Sequence, residues 1–105
     1  MKYILSTKED KVLIEANSRE DAFRNYFHSL KKITLDKLGQ IVVLKDEDGE
    51  EYPFRTVPAL VLLGLMNFNS GILNVAEITG CSIGESEDLL LRAMEQDKWI
   101  INTEG

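Results

Sequence analysis

At 105 residues the chain is long enough for one domain with its own core and too short for two ordinary ones. Its 44% hydrophobic and 29% charged residues are a globular composition, which excludes a disordered tract. The formal charge of −6 weighs against a surface that binds phosphates broadly. The single cysteine, Cys81, excludes an internal disulfide framework and any multi-cysteine zinc site.

The start of the chain turns polar at Thr7-Lys8-Glu9-Asp10, so no secretory leader is expected. The most apolar stretch, Val57 to Met66, is too short to span a bilayer. These features predict a cytoplasmic protein that does not engage membranes.

Tyr3-Ile4-Leu5-Ser6 and Val12-Leu13-Ile14-Glu15-Ala16 are β-rich runs separated by Lys8-Glu9-Asp10-Lys11, which predicts a hairpin. A helix follows with Ser18 as its N-cap and Asp21 three residues on, an imperfect capping box. Ala22, Phe23, Tyr26, Phe27 and Leu30 recur at helical spacing and form its apolar stripe. Leu38-Gly39 marks a turn. Gln40 to Leu44 and Glu51 to Val57 are strands joined by an Asp46-Glu47-Asp48-Gly49 turn, with Pro53 placing the second at an edge. Residues 1–56 therefore predict a small antiparallel β-β-α-β-β unit.

Pro58 suits the first turn of a helix, and the apolar run from Ala59 to Met66 requires burial on most sides. Asn67 to Gly71 ends that helix. A short helix opening at Gly71 or Asn74 runs through Ile78 and stops at Gly80. Ser82 then caps a helix with Glu85 completing a capping box, and Leu89, Leu90, Ala93 and Met94 are expected to be its buried face. Trp99 to Thr103 reads as a final strand.

Val75-Ala76-Glu77-Ile78-Thr79-Gly80-Cys81-Ser82 resembles a helix-turn-helix of the winged-helix variety found in small bacterial and archaeal regulators. Ala76 would allow close helix approach, Gly80 would take the left-handed turn position, and Cys81 would be a small buried residue. The resemblance covers residues 57–105, with the helix from Pro58 as support and Trp99 to Thr103 as a wing strand. The expected architecture is α+β, with the β-β-α-β-β unit and a winged-helix-like tri-helical unit (57–105) as one rigid body.

The resemblance implies a DNA-binding transcription regulator that contacts double-stranded DNA. Ser82 and Ser86 would lie on the reading helix, and Arg24, Lys31 and Lys32 would contact phosphates. Those three cations and His28 fall at i, i+4, i+7 and i+8 on the helix from Ser18; the same strip also reads as a solvated face whose cations favour the helix C-terminus.

The expected reading helix departs from the pattern, because its first turns are Ile83-Gly84-Glu85-Ser86-Glu87-Asp88, with three acids and no cation. From Val57 onward seven acids face only Arg92 and Lys98. This segregation supports a second reading from another class, a protein-interaction module. There Glu85, Glu87 and Asp88 would meet a basic protein partner and the helices would be only a scaffold.

Other chemistry is weaker. His28 is the only histidine, and no nucleophile or paired carboxylates converge, so neither an enzyme nor a metal site or cofactor is expected. The acidic run at Asp46 has the composition of a hairpin turn rather than a calcium loop. Cys81 could serve redox sensing, but its place in the motif suits a packing residue. The apolar girth of Leu60 to Met66 suits either the monomer core or a homodimer interface.

Overall fold

The computed structural model of the chain describes residues 1–101. Strands β1 (Lys2–Ser6) and β2 (Lys11–Glu15) form the expected hairpin, closed by a turn in which the Thr7 hydroxyl accepts the amides of Glu9 and Asp10. Helix α1 (Arg19–Ser29) starts where Ser18 accepts the Asp21 N–H. A one-turn helix α2 (Leu35–Leu38), capped by Thr34, occupies what the sequence read only as a turn. Strands β3 (Ile41–Lys45) and β4 (Glu51–Arg55) make a second hairpin. Its turn is held by Asp46, whose carboxylate accepts the amides of Asp48 and Glu50, with Gly49 left-handed at φ 86°.

The sheet order is β2-β1-β3-β4 and every pairing is antiparallel, because the α1 crossover returns the chain to the free side of β1. The chain is thus an α+β protein. Side chains alternate along each strand, so Tyr3, Leu5, Ile14, Val42, Leu44 and Phe54 share one buried face. Ala22, Phe23 and Tyr26 of α1 lie on it, with Phe23 edge-on to Phe54 at 5.0 Å. Each such aromatic contributes about 2–3 kcal/mol of burial.

Helix α3 (Thr56–Leu62) begins directly after β4, and α4 (Phe68–Thr79) and α5 (Ile83–Gln96) follow. Ala59, Leu60, Leu63 and Ile100 belong to the same core cluster as the sheet. Leu62, Leu65 and Met66, each partly buried, pack against that cluster. A second cluster of Val57, Ile72 and Leu90 joins α3, α4 and α5.

Helix α4 starts at Phe68, earlier than Gly71 or Asn74, because Asn67 caps it by accepting the Ser70 N–H. The preceding helix ends at Leu62, where Leu63 and Gly64 (φ 74°) turn the chain. One close approach in the helical unit falls on Gly71: a Cβ there would stand 2.9 Å from Val61 Cγ2 and 3.0 Å from Leu90 Cδ2.

Leu89 is exposed while Leu90 is buried, so the buried line of α5 is Ser86, Leu90 and Ala93, continued by Asp97 at its C-cap. Trp99 does not begin a wing strand. Lys98–Ile100 is a 3₁₀ turn that lays Trp99 against Tyr52 and Phe54, with the Arg19 guanidinium over both Tyr52 and Trp99. Asn102 and Thr103, the rest of that expected strand, lie outside the described residues. Among the described residues no helix is long and apolar enough to cross a membrane.

Candidate functional site

The residues expected to contact DNA do not form one surface. Arg24 donates to Glu20 Oε1 at 3.0 Å and to the Leu63 carbonyl at 2.9 Å, which ties α1 to the C-terminal end of α3. A cation there satisfies a helix-end carbonyl and favours the dipole. Lys31 and Lys32 are exposed, but α1 ends at Ser29, so they leave the helical face that Arg24 and His28 would share.

The Ser82 hydroxyl accepts the Glu85 N–H at 3.2 Å and donates to Glu85 Oε1 at 3.0 Å, so it is engaged as the α5 cap. Ser86 is fully buried and donates to the Ile72 carbonyl at 2.5 Å. It therefore bridges α5 to α4 and presents nothing to a ligand, which corrects its placement on a reading surface. Cys81 is half-buried in the turn, with Thr79 Oγ1 3.0 Å from its sulfur, rather than a packed core residue.

Helix α5 determines what the tri-helical unit can offer. It buries one narrow line and exposes most of the rest of its circumference. Ile83 (53% exposed), Leu89 (42%) and Leu91 (47%) stand in water. At about 100° per residue, Glu85 lies on the side of Leu89 and Arg92, Glu87 on the side of Ile83 and Leu91, and Asp88 between them. The three acids thus flank exposed apolar residues on both sides and do not form one cluster.

Beside α5 lies a groove of about 390 Å³. Leu89, Arg92 and Gln96 of α5 make one wall, and Val75 and Ile78 of α4 make another. Val57 and Pro58 continue the lining, and Gln40, Ile41 and Arg55 close the end towards the sheet. Arg55 Nη1 donates to Gln96 Oε1 at 3.3 Å, while Arg92 has no hydrogen bond or ion pair among the described residues. The lining contains no carboxylate, histidine, cysteine or lysine among the described residues. The apolar lining can hold hydrocarbon, and the guanidinium groups of Arg55 and Arg92 can donate hydrogen bonds to an anion.

Asp97 supports one end of this wall from inside. It is buried, and burial pushes its carboxyl up from the ordinary value, against the opposing pull of the Arg55 amide and the Arg55 charge. Leu89, Arg92 and Gln96 could have been grouped from sequence as i, i+3 and i+7 of one helix. Arg55, 41 residues from Gln96, joins them only through folding. No protein family, curated protein or solved structure matches the chain.

Proposed function

We propose that this chain is a protein-interaction module that uses α5 as its contact helix. The observation that carries this reading is the exposure of Ile83, Leu89 and Leu91 among Glu85, Glu87 and Asp88. Apolar side chains held in water, with carboxylates between them, complement a partner surface that is apolar and basic. Phosphates would meet repulsion from the same acids.

The helix-turn-helix connection, α4 to α5 through Gly80-Cys81-Ser82 with Gly80 left-handed, favours a second reading as a DNA-binding regulator. That reading is the weaker one. Ser86 is buried, Ser82 and Arg24 are engaged internally, and Lys31 and Lys32 remain as its free cations.

Two measurements separate the readings. A photoreactive residue at the exposed Leu91 should cross-link a basic protein in native extract, and reversal of Glu85, Glu87 and Asp88 to lysine in the same background should abolish the product. Retention of the same partner after reversal removes the interaction reading. A random duplex pool titrated at low salt should show no anisotropy change; binding there that weakens steeply with salt would restore the DNA reading.

A further inference from the structure

The two edges of the sheet are finished differently. In an antiparallel ladder, alternate residues turn their N–H and C=O groups towards the neighbouring strand and away from it. On β4 the flanking bonds Thr56 N–H to Gln40 O and Asp46 N–H to Glu50 O fix the alternation. They leave Glu51, Pro53 and Arg55 facing outward. Pro53 has no N–H, and the Arg55 N–H is taken by Asp97 Oδ2 at 2.9 Å. That edge is closed to strand addition.

On β2 the flanking bonds are Ala16 N–H to Met1 O and Thr7 N–H to Asp10 O. They turn the N–H and C=O groups of Lys11, Leu13 and Glu15 outward, away from β1. None of the three meets a side chain or a loop among the described residues. The strand has no proline and no bulge to block an added strand, and the charges at its outward positions, Lys11 and Glu15, are of opposite sign. It also exposes apolar side chains on both faces, Leu13 (66%) on the outer and Val12 (38%) on the inner.

We propose that β2 is a dimerisation edge, on which two copies pair antiparallel about a two-fold axis at Leu13 to make one eight-stranded sheet. The strand is self-complementary in this register. Leu13 faces Leu13 of the second copy, and Lys11 faces its Glu15 twice over. All three pairs use the outward backbone groups, giving about six main-chain hydrogen bonds.

Neighbouring rows on the outer face agree. Leu13 pairs with Ile4 and Glu15 with Lys2 within one chain. The central row across the axis is therefore apolar, and each flanking row alternates in charge. On the inner face Val12 meets Ile14 of the second copy at a close, non-hydrogen-bonded pair, where apolar side chains pack best. A register shifted by one residue would set Leu13 opposite Val12 or Ile14 of the second copy, whose N–H and C=O groups are already bonded to β1, and lose the ladder. The interface is independent of α5 and of the partner reading.

Sedimentation equilibrium from micromolar to several hundred micromolar protein should show the wild type approaching twice the monomer mass. Leu13→Pro removes an outward N–H without touching the bonds to β1, so it should stay monomeric with an unchanged circular dichroism spectrum. Lys11→Glu should weaken the dimer roughly tenfold or more through two like-charge pairs. Lys11→Glu combined with Glu15→Lys should restore it. Concentration-dependent amide protection at Lys11, Leu13 and Glu15, with Val12 and Ile14 protected throughout, is the expected exchange pattern.

A chain that is monomeric over the whole range overturns the proposal. So does a dimer that survives Leu13→Pro or one that the charge swap fails to restore. If Leu13→Pro unfolds the chain, the reversal and swap variants decide alone.

Discussion

Asp97, at the end of α5, accepts the backbone N–H of Arg55 at 2.9 Å, and so links the last turn of that helix to the outer edge of β4. The carboxylate does for the edge what a further strand would otherwise do. Replacing it with alanine leaves a partly buried amide without its partner. Asp97→Ala should cost about 1–3 kcal/mol in urea unfolding, while Asp97→Asn, which keeps an acceptor, should cost less. Equal losses for the two variants would mean that the hydrogen bond is not the source of the effect.

The same residue sets a pH dependence. Its folded-state pKa is raised by burial, so between the ordinary value of 3.8 and the raised value the folded chain holds more protons than the unfolded one. This group's contribution to stability therefore rises as pH falls through that window, and is lowest above it. Wild type should gain on Asp97→Asn as pH is lowered from 7 towards 4, read as the difference between their denaturation midpoints. A difference that stays flat or widens against the wild type contradicts this sign.

Gly71 sits where α4 passes between Val61 and Leu90. Alanine would gain about 1 kcal/mol of helix propensity there. It would also push a methyl into a branched side chain and a buried leucine, an overpacking that costs about 1–3 kcal/mol. The net expectation for Gly71→Ala is destabilisation. In a Val61→Ala background the same change should become neutral or stabilising, so a double-mutant cycle in chemical denaturation checks the mechanism.

Ser86 and Ser82 should behave as structural residues. Ser86→Ala removes one buried hydrogen bond and should cost about 0.5–1.5 kcal/mol. Ser82→Ala removes the α5 cap and should cost about 1 kcal/mol. Thermal unfolding of both variants measures this. Effects on a ligand that exceed the loss of folded protein would place either serine in a contact surface instead.

Arg24 holds the end of α3 through the Leu63 carbonyl while half-exposed. Arg24→Ala should lower stability by about 1 kcal/mol, the solvent having already screened part of the charge. The variant, like the wild type, should leave duplex DNA unbound at low salt. Wild-type binding that Arg24→Ala removes without a stability loss would return Arg24 to a phosphate-contact role.

What the sequence determined on its own is the local structure. Ser18, Ser82 and Gly80 mark helix ends because their interactions are made within a few residues, and such signals survive without any tertiary context. The β hairpins and the Asp46 turn were legible for the same reason, and so was the α+β class.

Tertiary structure decided which member of a like pair faces inward. Leu89 and Leu90 are equivalent as residues, and only packing against Val57 and Ile72 buries the second. Ser86 looked like a surface contact until Ile72 supplied its acceptor, and Trp99 looked like a strand until Tyr52, Phe54 and Arg19 surrounded it. The groove wall at Arg55 and the closed edge of β4 rest on contacts between residues some 40 positions apart. Such pairings carry no signal in local spacing, because the energy that selects them comes from burying one element against another.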